Sequence, residues 1–379
     1  MKFLIISIFL LFPNFIHCQT FQPVPTTEQI LEQIRSLQIK ENSFYGAGQF
    51  PAQRGKYMRA EDNSIFFSSL IAFTLNGFHE KSNEKSRKLI DSICTQIKGN
   101  YEKHRNKSGI QTYNFWKTDP PEFFPNSKFL SAFHAFQIPD DADCTTMIYL
   151  TDTSLNKHAA WLQQKLASHA NLSKLKVKNT FRRYRTFKAY STWFGKKMPV
   201  EFDICVQCNV LYFIYKNHLP LTTQDEQTLL LIQSQIKSGD YLKYAHYLSP
   251  SYKKRAVVLY HIARLMEDNT VPILEDCKKI VKKDIESELK KATDFMDKII
   301  LSTSLIRMKG QPATLIPPDD LNTSITNYVF FKANLFSPYS RPLLQFITKS
   351  NIFDCNFYCK AYCLSLIAEY EMMNLPQPY

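Results

Sequence analysis

Glycine is scarce, with nine in 379 residues, where ordinary usage of about 7% gives about 27. That shortage argues against glycine-rich nucleotide loops and turn-rich β folds. Tryptophan occurs three times, which weighs mildly against stacking on sugars. Several catalytic signatures are missing: G-x-S-x-G, the P-loop, the dinucleotide G-x-G-x-x-G and H-E-x-x-H. His79-Glu80 comes nearest to the last of these, but Asn83 stands where the second His belongs. No apolar run reaches the roughly 20 residues that a membrane-spanning helix needs.

What is present describes a globular chain. Hydrophobic residues make up 44% and charged residues 21%, outside the range of disordered sequences. Aromatics reach 14%, with 29 Phe and 20 Tyr. Either an AT-rich coding bias or an aromatic-lined cavity accounts for them. At the start, Lys2 precedes an apolar run from Phe3 to Phe12, which Pro13 and Asn14 end. The run is too short to span a bilayer and reads as a signal peptide over 1–18. The expected cut is before Gln19, and a lipid anchor on Cys18 is the alternative. Residues 19–379 are then one exported domain, periplasmic or secreted.

The formal charge is +13. Its densest stretch, 174–188, interleaves seven Lys and Arg with Phe181, Tyr184 and Phe187, and Tyr190 follows. Such a pattern suits single-stranded nucleic acid, but export argues against that partner. A solvated basic loop, or peripheral contact with anionic lipid or an anionic substrate, fits better. Past Cys18 eight cysteines remain, too sparse for a disulfide scaffold. They read as buried small hydrophobes. Cys355, Cys359 and Cys363 are spaced for one helical stripe.

Periodicity is helical almost throughout. Thr26 or Thr27 caps a first helix with Ile30, Leu31, Ile34 and Leu37 on one face. Six nearly all-apolar segments follow, beginning at Asp62, Asp141, Phe202, Ser249, Ala292 and Asp354. Ser249 with Pro250 reads as a helix start. Amphipathic helices lie between, at roughly 83–104, 155–169, 223–237 and 271–289, and a proline-containing excursion covers 310–352. A helix apolar all round must be buried on all sides, whereas a one-striped helix faces water. The expected fold is therefore all-α, a single (α/α)6 toroid of inner and outer helices, with an open solenoid as the alternative. A small β-hairpin is expected from 174–178 and 184–194.

The densest chemistry lies at Asp140-Asp141-Ala142-Asp143-Cys144-Thr145. Three carboxylates at a helix start can cap free N–H groups, or point an acid at a ligand. Asp141-Ala142-Asp143-Cys144-Thr145 resembles the D-x-D-D-T acid motif of class II terpene cyclases. Asp143-Cys144-Thr145 is similar to the D-C-T of oxidosqualene cyclases. The helix alternation resembles the toroids of squalene–hopene cyclases and protein prenyltransferases, here as a single divergent toroid. The resemblance implies that Asp143 is the general acid that protonates an alkene or epoxide, with Cys144 as the thiol that acidifies it. Asp141 and Asp203 join them as catalytic candidates.

Gln207, Asn209, Tyr149, Tyr212, Tyr260 and Arg264 are the expected substrate-contacting residues. Aromatic faces suit carbocations, and Phe66 and Phe73 are further candidates. Arg264, inside an apolar segment, calls for a carboxylate partner, Asp143 or Asp203. Asp203-x-Cys205 resembles the zinc half-site of prenyltransferase β subunits, with His261 as a conceivable third ligand, but no metal or cofactor is expected. Three function classes follow. One is acid-initiated cyclisation or binding of an isoprenoid. The second is a secreted glycosidase or polysaccharide lyase pairing Asp141 or Asp143 with Glu201 or Asp203. The third is a non-catalytic toroid binding lipid, protein or cell wall. The partner is thus a hydrophobic small molecule or a glycan.

Overall fold

All six apolar segments form helices. The computed structural model describes residues 26–375, except 41, 43, 123–137, 195–197, 268–270, 313–314 and 335–353. The expected signal peptide lies outside the described residues. In chain order the helices are α1 (Thr27–Leu37), α2 (Phe66–Phe78), α3 (Glu84–Lys98), α4 (Ala142–Thr151), α5 (Ala159–Ala167), α6 (Ile204–Lys216) and α7 (Thr223–Lys237). They continue as α8 (Asp240–Lys243), α9 (Ala245–Leu248), α10 (Arg255–Glu267), α11 (Lys278–Lys291), α12 (Phe295–Arg307), α13 (Leu321–Asn327) and α14 (Lys360–Asn374).

Capping sets several starts. Thr26 closes a capping box with Gln29, and Thr222 closes one with Asp225. Asp141, Asp203 and Asp294 cap α4, α6 and α12, and each accepts hydrogen bonds from first-turn N–H groups.

Burial separates two kinds of helix. Every residue of α10 from Ala256 to Met266 is buried. In α11 only Val281 and Ile285 are. The apolar six are neighbours in sequence order: α2 packs on α4, α4 on α6, α6 on α10, α10 on α12, α12 on α14, and α14 on α2. The striped helices cover them. Helix α1 lies on α14 and α3, α3 on α2, α7 on α6, α11 on α10 and α12, and α13 on α14. Each fully buried Leu, Ile or Phe contributes about 1.5–3 kcal/mol, so the apolar six carry most of the core.

A four-stranded antiparallel sheet in the order β2-β1-β4-β3 adds to the helices. Its strands are β1 (Ala52–Arg54), β2 (Ala60–Asp62), β3 (Lys332–Asn334) and β4 (Asp354–Tyr358). Gln53 pairs with Tyr358 and Ala333 with Cys355, so the sheet ties early residues to late ones.

Three expectations are corrected. No hairpin forms over 174–194. There, Asn171 receives Val177 N–H (2.8 Å) and donates to the carbonyls of Arg185 and Phe187. Asn179 pairs in both directions with the backbone of Phe202. Those bonds use backbone groups that a ladder would need. The sixth segment opens as β4, so Cys355 is in a strand, Cys359 stands just before the helix without a capping side-chain bond, and only Cys363 lies within it. Helix α10 begins at Arg255, because Ser249 points its hydroxyl at Asp203 (2.8 Å) and not at its own helix. Among the described residues the eight cysteines are free and seven are buried, as small hydrophobes would be.

Candidate functional site

The three carboxylates of 140–143 go to three places. Asp140 is buried at the edge of the helix start, where Asn106 and Thr112 donate to it, each at 2.5 Å. It lines a cleft of about 360 Å³ together with Asn114, Lys117 and Glu122. Asp141 caps α4 by accepting Cys144 N–H at 2.7 Å. Burial pushes its carboxyl up to about 8, against the hydrogen bond from the Cys144 backbone. The Cys144 thiol also lies on Asp141, so the expected cysteine–Asp143 pair is not formed. Burial and the neighbouring aspartates raise that thiol well above its usual range.

Asp143 turns inward and is 7% exposed. It accepts hydrogen bonds from the Tyr252 hydroxyl and from Asn209 Nδ2, the latter at 2.6 Å. Burial raises its carboxyl to about 6, while those two donors and the Arg264 charge hold it from rising further. Arg264 donates to Asn209 Oδ1, so the amide passes the arginine's charge to the carboxylate. The guanidinium lies over Phe73 at 4.7 Å, Tyr260 at 5.5 Å and Tyr212 at 5.7 Å.

A second charged group continues this line. Tyr260 donates to Glu369 at 2.7 Å, and Arg307 meets Glu369 at 2.5 Å and Glu267 at 2.7 Å. The Arg307 guanidinium covers the other approach to Tyr260, at 4.8 Å. The polar chain therefore links α4, α6, α10, α12 and α14. Each charge sits on an apolar helix, where isolation would be costly and pairing is obligatory.

Aromatic rings pack beside the acid. Phe330 contacts Tyr252, Tyr260, His261 and Tyr362. Phe331 stacks on Phe357 at 4.6 Å and meets Phe66 and Phe67. His261 donates Nδ1–H to the Val257 carbonyl (2.8 Å), and its Nε2 has no partner among the described residues. Burial and the Arg264 charge hold its pKa well below the usual range, so the ring is neutral. Arg264 Nε and Arg307 Nη1 are likewise buried without a hydrogen-bond acceptor there.

The expected site residues therefore divide. Asp143, Asn209, Arg264, Tyr260, Tyr212 and Phe73 come together. Asp203 caps α6 and anchors Ser249 and Ser251. Gln207 donates to the Tyr190 carbonyl, and Tyr149 to the Gln111 carbonyl. These three tie loops to helices. Glu201 accepts from the Trp193 indole. Asp203 and Cys205 are bridged by Ser249. Among the described residues no three His, Cys, Asp or Glu side chains converge as metal ligands do.

Sequence reading missed Tyr252, Glu369, Arg307 and Glu267 as partners. A lone acid in LSLIAEY and a lone base in SLIRM were the available signals for Glu369 and Arg307. Compared with protein-family models and with curated proteins, the chain matches none of them.

Proposed function

We propose that this chain is an exported single (α/α)6 toroid, and that Asp143 is a carboxylic acid that donates a proton to an isoprenoid-type substrate. The cyclic neighbour order of the six apolar helices, five of them covered by a striped one, supports the ring. The observation that carries the reaction is the setting of Asp143: buried, raised to about 6, and held by Tyr252 and Asn209 beside aromatic faces. A carboxyl in that range is partly protonated near neutrality and can give its proton to an alkene. Tyr252 and Asn209 fix its direction. Tyr252, Phe330 and Phe331 are the faces that would meet developing positive charge, because the Arg264 guanidinium already lies over Phe73, Tyr260 and Tyr212. Arg264 would oppose a cation placed near it, so charge should develop on the Tyr252 side.

One observation favours a second reading, a ring that binds without reacting. Phe330 and Phe331 pack against Tyr252, at 5.9 and 6.5 Å between centroids, and a substrate must displace them to reach the acid.

The test is product analysis with squalene and shorter polyprenyl substrates, on wild type and Asp143→Asn. Cyclised product from wild type, rising as pH falls through about 6 and lost in the Asn variant, supports the acid. No product from a well-folded wild type supports the binding ring.

A further inference from the structure

Charge is distributed unevenly along this chain. Between residues 153 and 200 there are eleven Lys and Arg and no Asp or Glu. One-eighth of the sequence thus holds +11 of the formal +13. Within it, Leu172-Ser173-Lys174-Leu175-Lys176 is a run of five exposed residues. Leu172 and Leu175 are 44% and 49% exposed, among the most exposed large hydrophobics described.

The run is held out by a fixed base. Asn171 and Asn179 clamp both sides through the bonds given above, and Leu172 N–H closes a turn onto the Leu175 carbonyl at 2.9 Å. Leu172 takes φ 67, a left-handed conformation that costs a leucine energy. Arg185 braces the turn by donating to the Thr180 and Lys178 carbonyls. Beneath, Val177 and Tyr184 join a separate apolar cluster with Phe202, Leu231, Tyr247 and Leu248.

Two partners suit a cationic ridge, and the side chains choose between them. Single-stranded nucleic acid needs aromatic faces for stacking. The four aromatics of 181–190 are buried or partly buried, with Phe187 packed on the apolar cluster beneath the ridge. Tyr184 and Tyr190 are buried, and Phe181 packs on Tyr184, Tyr244 and Tyr247. What the ridge shows outward is leucine between lysines, which suits acyl chains under anionic headgroups. The cations are available for this. Among the described residues Lys174, Lys176, Lys178, Arg182 and Lys188 make no salt bridge, whereas Arg183 is paired with Asp240.

We propose that the 172–188 ridge docks this protein on an anionic lipid surface, with Leu172 and Leu175 entering the headgroup layer and the lysines binding lipid phosphates. The inference does not require a reaction at Asp143.

The test is sedimentation with vesicles of phosphatidylcholine, with and without about 30% phosphatidylglycerol. The full chain should bind the anionic vesicles and not the neutral ones, and about 0.5 M salt should release it. Lys174→Gln, Lys176→Gln and Lys178→Gln together should weaken binding about 100-fold, near fivefold for each charge. Leu175→Ser should weaken vesicle binding several-fold and leave binding to oligo-dT unchanged. All these positions are exposed, and thermal melting verifies folding. Failure to bind anionic vesicles overturns the proposal. So does vesicle binding that Leu175→Ser leaves intact, since the ridge is then a general polyanion surface.

Discussion

Asp143→Asn separates a titrating buried acid from a plain structural one. The amide fits the same space. Its oxygen can accept from Asn209 Nδ2, and its nitrogen can donate to the Tyr252 oxygen once that hydroxyl rotates. Helix α4 keeps its cap, because Asp141 supplies it. The variant should therefore fold, and its difference from wild type should depend on pH. The folded carboxyl titrates at about 6, against an ordinary 3.8. Below about pH 4 it is protonated in both folded and unfolded chains. Between about 4 and 6 the folded chain holds the proton more tightly, so wild-type stability falls as pH rises. The loss relative to the Asn variant should total about 3 kcal/mol by pH 7. Guanidinium unfolding of both proteins from pH 4 to 8 measures it, and taking the difference cancels the other titrating groups. Asp143→Ala is the contrast. It strands a buried hydroxyl and a buried amide, and should be about 2–5 kcal/mol less stable than the Asn variant at every pH, since neither carries the titrating carboxyl. A wild-type-minus-Asn difference that stays flat across this range would refute the reasoning.

Arg307→Met should cost about 3–5 kcal/mol in guanidinium unfolding, because Glu369 and Glu267 lose their buried cation. Adding Glu369→Gln should recover part of that loss, and strict additivity of the two changes would count against the pair. His261 should stay neutral from pH 8 down to 5, since burial and Arg264 disfavour its charged form. Ring-proton NMR shifts that move with a midpoint near 6.5 would contradict its placement.

Sequence showed the helical skeleton well, because burial leaves a periodic record. Helix α7 begins and ends at the expected Thr223 and Lys237. The polar helix start was visible at Asp141, whereas Asp203 and Asp294, which also cap, carried no such reading. Polar starts misled at Asp354, which enters a strand, and at Ser249, which serves Asp203. The sheet was invisible, since three-residue strands such as Ala52–Arg54 are too short to show alternation. The basic stretch carried strand-like alternation at K-L-K-V-K, and Asn171 and Asn179 overrode it through side-chain bonds. In the site, Arg264 was expected to meet Asp143 or Asp203. It reaches Asp143 through Asn209, a bridge that spacing along one chain does not encode. Tyr252 stands 109 residues from Asp143, and only the packing of α10 beside α6 and α6 beside α4 brings them together.

Helix α2 packs on α14, and β1 on β4, so residues near 52–78 rest on residues near 354–374. A ribosome delivers α2 about 300 residues before it completes α14. At ordinary synthesis rates that is roughly 15–60 s. Throughout that interval the FFSSLIAF stretch of α2 lacks the partner that covers one of its sides. The nascent chain then exposes an apolar surface that a holding chaperone can recognise. Its native packing is completed only when the late helix arrives.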